Sequence, residues 1–291
     1  MTARIPPDKI SRTVAAIDDA LSMDWVGAVA LQSLLGLIGF CGQILVSGRW
    51  RVPWTVQAMR IAAAHGFAPM NSSWREELLW WKDLLEEGNL VAMMMDPEYL
   101  IPTHAADMAP FTDACRGSTA GGAGGVYGHR WFEFQFSPQE IQLLPICDLE
   151  GIASVLWLSE ICERWPEEIA GKRYTAWCDN TTFVGCVNGH KTTIPSLAIL
   201  LAEIHKLMAQ FSFDLRLEYV PSKENVAADA LSRLDYDTFI NFMASKGVDP
   251  AALVRVPIQE SRRSLWSSRM MSARSLMTAV RKDQEAHSRA D

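Results

Sequence analysis

Residues Tyr219-Val220-Pro221-Ser222-Lys223-Glu224-Asn225-Val226-Ala227-Ala228-Asp229-Ala230-Leu231-Ser232-Arg233 read as the end of a strand, a turn and a short helix. That helix carries one carboxylate, Asp229, among small side chains. Alanines at 227, 228 and 230 let it lie close to a neighbouring surface while Asp229 projects towards that surface. A carboxylate offered in this way supplies oxygen ligands of the kind that hard divalent cations take. Three other acids stand in distinctive surroundings: Asp113 in Phe111-Thr112-Asp113-Ala114-Cys115, Glu150 in Asp148-Leu149-Glu150-Gly151-Ile152-Ala153, and Asp179 in Trp177-Cys178-Asp179-Asn180-Thr181. Taken singly, none of them requires chemistry. Asp113 and Asp179 would serve as turn or N-cap residues, Asp148 or Glu150 as a first-turn acid favoured by the helix dipole, and Asp229 as a solvated helix acid.

The 219–233 segment closely resembles the last active-site segment of the RNase H domain attached to reverse transcriptases of LTR-type and related retrotransposons. The family pattern is approximately Pro-Gly-x-x-Asn-x-x-Ala-Asp-x-Leu-Ser-Arg, and only the glycine departs, being Ser222 here. The Asp113 segment is similar to the Thr-Asp-Ala-Ser of that family's first strand. The Glu150 segment is similar to the Leu-Glu-x-x-Ala that opens its first helix, and the Asp179 segment to the Asp-Asn-Thr that ends its fourth strand. All four acids follow the family order.

This resemblance implies that Asp113, Glu150, Asp179 and Asp229 are the catalytic residues and hold two Mg2+ ions, with Mn2+ able to substitute, about 4 Å apart around a scissile phosphate. It implies a metal-dependent endonuclease that cuts the RNA strand of an RNA–DNA hybrid and leaves a 3′-hydroxyl and a 5′-phosphate. The hybrid would be chosen by minor-groove shape and 2′-hydroxyl contacts. Asn180, Asn225 and Arg233 are the candidates for substrate contact, with turn and cap roles open for the two asparagines. Asp148 takes the capping role beside Glu150. Many RNases H carry a histidine in a flexible loop before the last acid; here none lies between His205 and Asp229.

The elements around these acids follow from periodicity. Phe132, Phe134 and Phe136 alternate with Trp131, Glu133 and Gln135, as in a half-buried strand. The glycine-rich 117–128 stretch suits a hairpin or a loop, and lacks the Gly-Lys-Ser/Thr of a phosphate-binding loop. Leu149 to Glu163 carries an imperfect helical stripe, Tyr174 to Cys178 a short strand. Pro195 fits a first helical turn, followed by a clean stripe at Leu197, Leu200, Leu201, Ile204, Leu207, Met208 and Phe211. Leu215, Leu217 and Tyr219 alternate on the next strand. The order predicts an α/β chain with an RNase H-like mixed five-stranded sheet flanked by helices.

Before residue 97 the pattern is helical. Leu31, Leu34, Leu35, Ile38, Cys41, Ile44 and Leu45 form one stripe, and Trp74, Leu78, Trp81 and Leu85 another after a Ser72 or Ser73 cap. With Trp80-Trp81-Lys82-Asp83-Leu84-Leu85, the region resembles the thumb and connection that precede RNase H in such elements, the Trp-Trp segment being closest to the DIRS type. No paired aspartates of the Tyr-x-Asp-Asp kind occur; Met95-Asp96-Pro97 is the nearest sequence. The expectation is therefore the C-terminal portion of a longer polyprotein, DIRS-like or gypsy-like, without the polymerase palm. The predicted divisions are an extension over 1–27, a thumb/connection-like region over 28–96, an RNase H-like domain over 97–236, and a basic tail over 237–291 that is partly helical or disordered. Without a palm to pack on, Trp54, Trp74, Trp80 and Trp81 would leave an exposed apolar patch.

With 291 residues, 49% of them hydrophobic, the chain can bury a sizeable core and hold two modest domains. The net charge of −7 argues mildly against a nucleic-acid partner. It is unevenly spread: residues 251–291 hold eight Arg/Lys against four Asp/Glu. The six cysteines form no Cys-x-x-Cys pair, so reduced intracellular thiols, in cytoplasm or nucleus, are expected. No signal peptide or membrane span is read. The expected partners are an RNA–DNA hybrid and the missing reverse transcriptase portion. A non-catalytic or co-opted RNase H-like remnant acting as a binding module is the rival; an integrase- or resolvase-like nuclease ranks below it.

Overall fold

The computed structural model describes residues 2–45, 48, 50–86, 91–93, 111–117 and 120–287. The chain divides into two units, Met1–Asp96 with His190–Ala198 and Asp283–Asp291, and Pro97–Gly189 with Ile199–Lys282. Residues 97–110, at the start of the predicted RNase H-like region, lie outside the described residues.

The first unit contains β1 (Thr2–Arg4), α1 (Pro7–Leu21), β2 (Trp25–Gly27), α2 (Ala28–Ile44), α3 (Pro53–His65), β3 (Phe67–Pro69), α4 (Ser72–Glu86) and β4 (Val91–Met93). Prolines open α1 and α3, where a missing N–H leaves no bond unmade. The four strands form two short antiparallel ribbons, β1 with β4 and β2 with β3. Both predicted stripes are buried: Leu31, Leu34, Ile38 and Cys41 meet Trp74, Leu78, Trp81 and Leu85 in one core. Ile5, Ile17, Ala20 and Val26 join that core. Trp74 and Trp81 are fully buried, and Trp54 and Trp80 pack partly against the same core. These helices satisfy their own tryptophans, contrary to the expected exposed patch.

One buried acid ties this core together. Glu77 of α4 accepts hydrogen bonds from the backbone N–H groups of Trp54 (3.0 Å) and Thr55 (2.8 Å) and from the Thr55 hydroxyl (2.7 Å). The Trp74 indole donates to that same hydroxyl oxygen at 3.1 Å. Trp54 and Thr55 lie in the first turn of α3, which has no side-chain cap of its own. Glu77 therefore caps α3 from a neighbouring helix. Burial pushes its carboxyl above the usual range. Glu77→Ala strands two N–H donors, one buried and one half-buried, and opens a cavity, with an expected loss of roughly 2–4 kcal/mol by urea denaturation of the full chain. A loss under about 0.5 kcal/mol, the scale of a neutral surface change, would show the cap to be dispensable.

The second unit contains β5 (Phe111–Arg116), β6 (Gly121–Tyr127), β7 (Arg130–Gln135), α5 (Pro138–Leu143), α6 (Ile146–Arg164), α7 (Pro166–Ile169), β8 (Arg173–Cys178), α8 (Thr181–Gly189), α9 (Pro195–Phe211, whose first turn is counted with the other unit), β9 (Asp214–Tyr219), α10 (Val226–Ser232), α11 (Tyr236–Ser245), β10 (Val254–Arg255) and α12 (Glu260–His287, counted with the other unit from Asp283 on). The sheet order is β10-β7-β6-β5-β8-β9. β6 runs antiparallel to both β5 and β7, while β8 runs parallel to β5, β9 to β8 and β10 to β7. The sheet thus has six strands where five were expected, because two residues of the predicted tail pair with β7. Its sequential order of three strands, helix, strand, helices, strand, helix is compatible with the RNase H-like layout.

The glycine-rich stretch is strand, and all seven residues of β6 are buried. Register decides which face each residue serves, since paired residues share a face and neighbours alternate. Gly125 pairs with Phe132 and Ala123 with Phe134, on the face where Phe132 meets Trp157 of α6, ring centroids 5.0 Å apart. Gly122 and Gly124 face α10. A Cβ on Gly124 would stand 2.6 Å from the Ser232 nitrogen and collide with Leu231. β6 lacks side chains there so that α10 can lie directly on the sheet.

α6 is buried on nearly every face, from Asp148 to Cys162 with only Ser154 less covered. α12 covers part of it. Arg274 pairs with Asp148, and Arg262 with Glu160 and Glu163. Both pairs span twelve residues on each helix, about 18 Å at 1.5 Å per residue, so the two helices run antiparallel. Trp266, Met270 and Ala273 of α12 are buried. Among the described residues no helix is long and apolar enough to cross a membrane.

Candidate functional site

The four acids named from the sequence sit on four elements of the second unit: Asp113 within β5, Glu150 in the first turns of α6, Asp179 just past β8, and Asp229 on α10. Asp113 pairs in register with Gly124 and therefore faces α10. It is 3% exposed, and the Ser232 hydroxyl donates to its Oδ2 at 2.5 Å. Burial pushes its pKa up to about 7; the Ser232 hydrogen bond opposes this, and the charges of Asp179 and Asp229 add to it. Glu150 is likewise raised well above the usual carboxylate range, first by burial and then by the charges of Asp113 and Asp179, against a backbone hydrogen bond from Ala114. Asp113 is thus the electrostatic hub: the charges of Asp179 and Asp229 act on it, and its own charge acts on Glu150.

Glu150, Asp179 and the Cys178 thiol each place a ligand atom within 4.8 Å of the others. Glu150 Oε2 and Asp179 Oδ1 are buried and have no hydrogen-bond donor. Like charges at this spacing, with acceptor oxygens unsatisfied, call for a proton or a cation between them. The carboxylates could hold a divalent cation on that ground. Asp229 is more open, its side chain 34% exposed, and Arg233 grips it in a fork with Nε 2.9 Å and Nη2 2.8 Å from Oδ1.

The three candidates for substrate contact have different fates. Arg233 stands at the rim, its side chain 60% exposed, holding Asp229. Asn180 accepts from the Phe183 N–H at 3.1 Å and so caps the start of α8. Asn225 is only 2% exposed, and its amide donates to the Thr112 carbonyl at 3.0 Å, pinning the entry of α10 to β5. That burial removes Asn225 from a substrate's reach and gives it a positioning role. Asp148, expected as a cap, is fully buried and held by Arg274 at 2.6 and 2.9 Å.

Sequence reasoning passed over three participants. Ser232 holds Asp113, Ser222 donates to Asp179 Oδ2 at 2.8 Å, and Cys178 lines the carboxylate group. Ser222 carried a signal: it is where the chain departs from the family glycine, and its hydroxyl is used.

In metal-free protein this cluster sets a pH dependence. An acid whose folded pKa lies above its unfolded value binds its proton more tightly when folded. The contribution of Asp113 to stability is then full below about 3.8 and is lost as the pH rises to about 7. Urea denaturation with chelator present should give lower stability at pH 7.5 than at pH 5, and Asp113→Asn should flatten that slope. Stability rising over this interval in the wild type would contradict the burial of these acids.

No protein-family model matches the chain, and neither does any curated protein. Among solved structures, RNase H1 from the halophilic archaeon Halobacterium salinarum is similar at 16% identity and a TM-score of 0.32, over 44% of this chain and 96% of that one.

Proposed function

We propose that the chain is a metal-dependent endonuclease that hydrolyses the RNA strand of RNA–DNA hybrids, derived from a retroelement polyprotein whose reverse transcriptase portion is its further partner. The observation that supports this reading is the convergence of Asp113, Glu150, Asp179 and Asp229 from separate elements, with two buried carboxylate oxygens that lack donors. These four would hold two Mg2+ ions, or Mn2+ in their place. Such ions supply an activated water and stabilise the leaving oxygen in an in-line displacement.

The chain's own residues do the rest. Ser232 and Ser222 fix the rotamers of Asp113 and Asp179 through their hydroxyls. Asn225 and the glycines of β6 hold α10 against the sheet so that Asp229 reaches the cluster. Arg233, exposed beside Asp229, offers a guanidinium to a backbone phosphate. The Asn180 amide nitrogen is left for a sugar or phosphate oxygen once its carbonyl oxygen has capped α8. The test is a strand-labelled cleavage assay with Mg2+ on hybrid, duplex RNA and duplex DNA in parallel. Cleavage confined to the RNA strand of the hybrid is expected; cleavage of DNA duplex would instead favour an integrase-like nuclease, and hybrid binding without cleavage the remnant reading.

A further inference from the structure

We propose that Arg274 is a positioning residue for Glu150, so that α12 belongs to the metal-holding apparatus of the second unit. The inference rests on the reading above for what Glu150 holds; its geometry stands separately. Asp148 and Glu150 lie two residues apart in α6, about 200° around a helix of 3.6 residues per turn. They therefore point to opposite sides: Glu150 towards Asp113 and Asp179, Asp148 towards α12. Asp148 has no exposure, and a buried carboxylate needs hydrogen-bond donors on its oxygens. Arg274 fills both, Nε to Oδ2 at 2.6 Å and Nη2 to Oδ1 at 2.9 Å.

This fork sets the rotation of the first turns of α6 about its axis, and so the direction in which Glu150 leaves the helix. It also cancels a negative charge that would otherwise add to the acid cluster from behind. Twelve residues earlier on α12, Arg262 makes an equally direct connection to Glu160 and Glu163, at the far end of α6 from Glu150. Between the two, Ser267 donates to Glu140 of α5, and Trp266, Met270 and Ala273 are buried. α12 is thus held along α6 at two points, of which one lies behind Glu150.

The test is Mn2+ affinity of the full chain, read from the free-ion paramagnetic resonance signal and so independent of cleavage. Arg274→Ala is expected to weaken Mn2+ binding about tenfold, the scale of a lost outer-shell partner. Arg274→Lys, which keeps the charge but not the fork, should weaken it about threefold. Arg262→Ala should lower the melting temperature and leave Mn2+ affinity unchanged. Should Arg274→Ala not fold, Arg274→Lys decides. Wild-type affinity in the folded Arg274 variants, or an equal loss in Arg262→Ala, overturns the positioning role. A wild-type chain that binds no Mn2+ overturns the metal-centre reading, and this inference with it.

Discussion

Asp179→Asn is expected to lower cleavage of the hybrid by roughly 10²- to 10³-fold, the scale on which enzymes lose rate when one preorganised electrostatic group is removed. The amide keeps the size of the side chain and can still accept from Ser222, whose hydroxyl donates to Oδ2. What disappears is the charge beside Glu150 and Asp113, both of which are pushed upward partly by Asp179. Relieving that repulsion should leave the metal-free melting temperature unchanged or raised. Initial rates at saturating Mg2+ and a thermal melt with chelator give both numbers. Near-normal cleavage would remove Asp179 from the site, and a large fall in melting temperature would show that its role is structural.

The second large effect lies away from the acids. Gly124→Val places two methyl groups beyond a Cβ that already has no room: the Ser232 nitrogen would be at 2.6 Å and the Leu231 carbonyl carbon at 2.8 Å. Backbone cannot yield as a flexible side-chain tip does, so α10 must lift off β6. The expected cost is about 3 kcal/mol, at the upper end for overpacking, or a melting temperature lower by roughly 6–12 °C. As α10 lifts, Asp113 loses the Ser232 hydroxyl and Asp229 withdraws from the cluster. Cleavage should therefore fall further than the folded fraction does. Activity per folded molecule equal to wild type would show that α10 docks independently of this contact.

The candidate site was legible in the sequence because its acids come with distinctive neighbours. Ala227, Ala228 and Ala230 announce a helix that packs closely, and they are buried as that reading requires. Alternation over Phe132, Phe134 and Phe136 marked a strand and its buried face. The stripe of α6 was imperfect for a physical reason: a helix buried on almost every side has no polar face to give it contrast. β6 was ambiguous because glycine propensity favours turns, and only the tertiary need for close approach makes it strand. The docking of α12 was unread because Arg262 and Arg274 look like a solvated basic run until their acidic partners, more than 90 residues away, are brought to them. The Ser137–Glu140 capping box that opens α5 was written locally, in Ser-Pro-Gln-Glu, and was available without any structure.

The parallel junction at the middle of the sheet carries two of the candidate acids. Among the described residues β5 pairs with β8 through Phe111 with Trp177 and Thr112 with Cys178. Asp113 follows Thr112 on one strand and Asp179 follows Cys178 on the other, so the two acids stand at the same level of adjacent strands. A divalent ion held by carboxylates from both strands would act as a rivet, slowing amide hydrogen exchange at Thr112 and Cys178 while leaving the outer strands unaffected. Ion occupancy and the closure of this central junction would then rise and fall together.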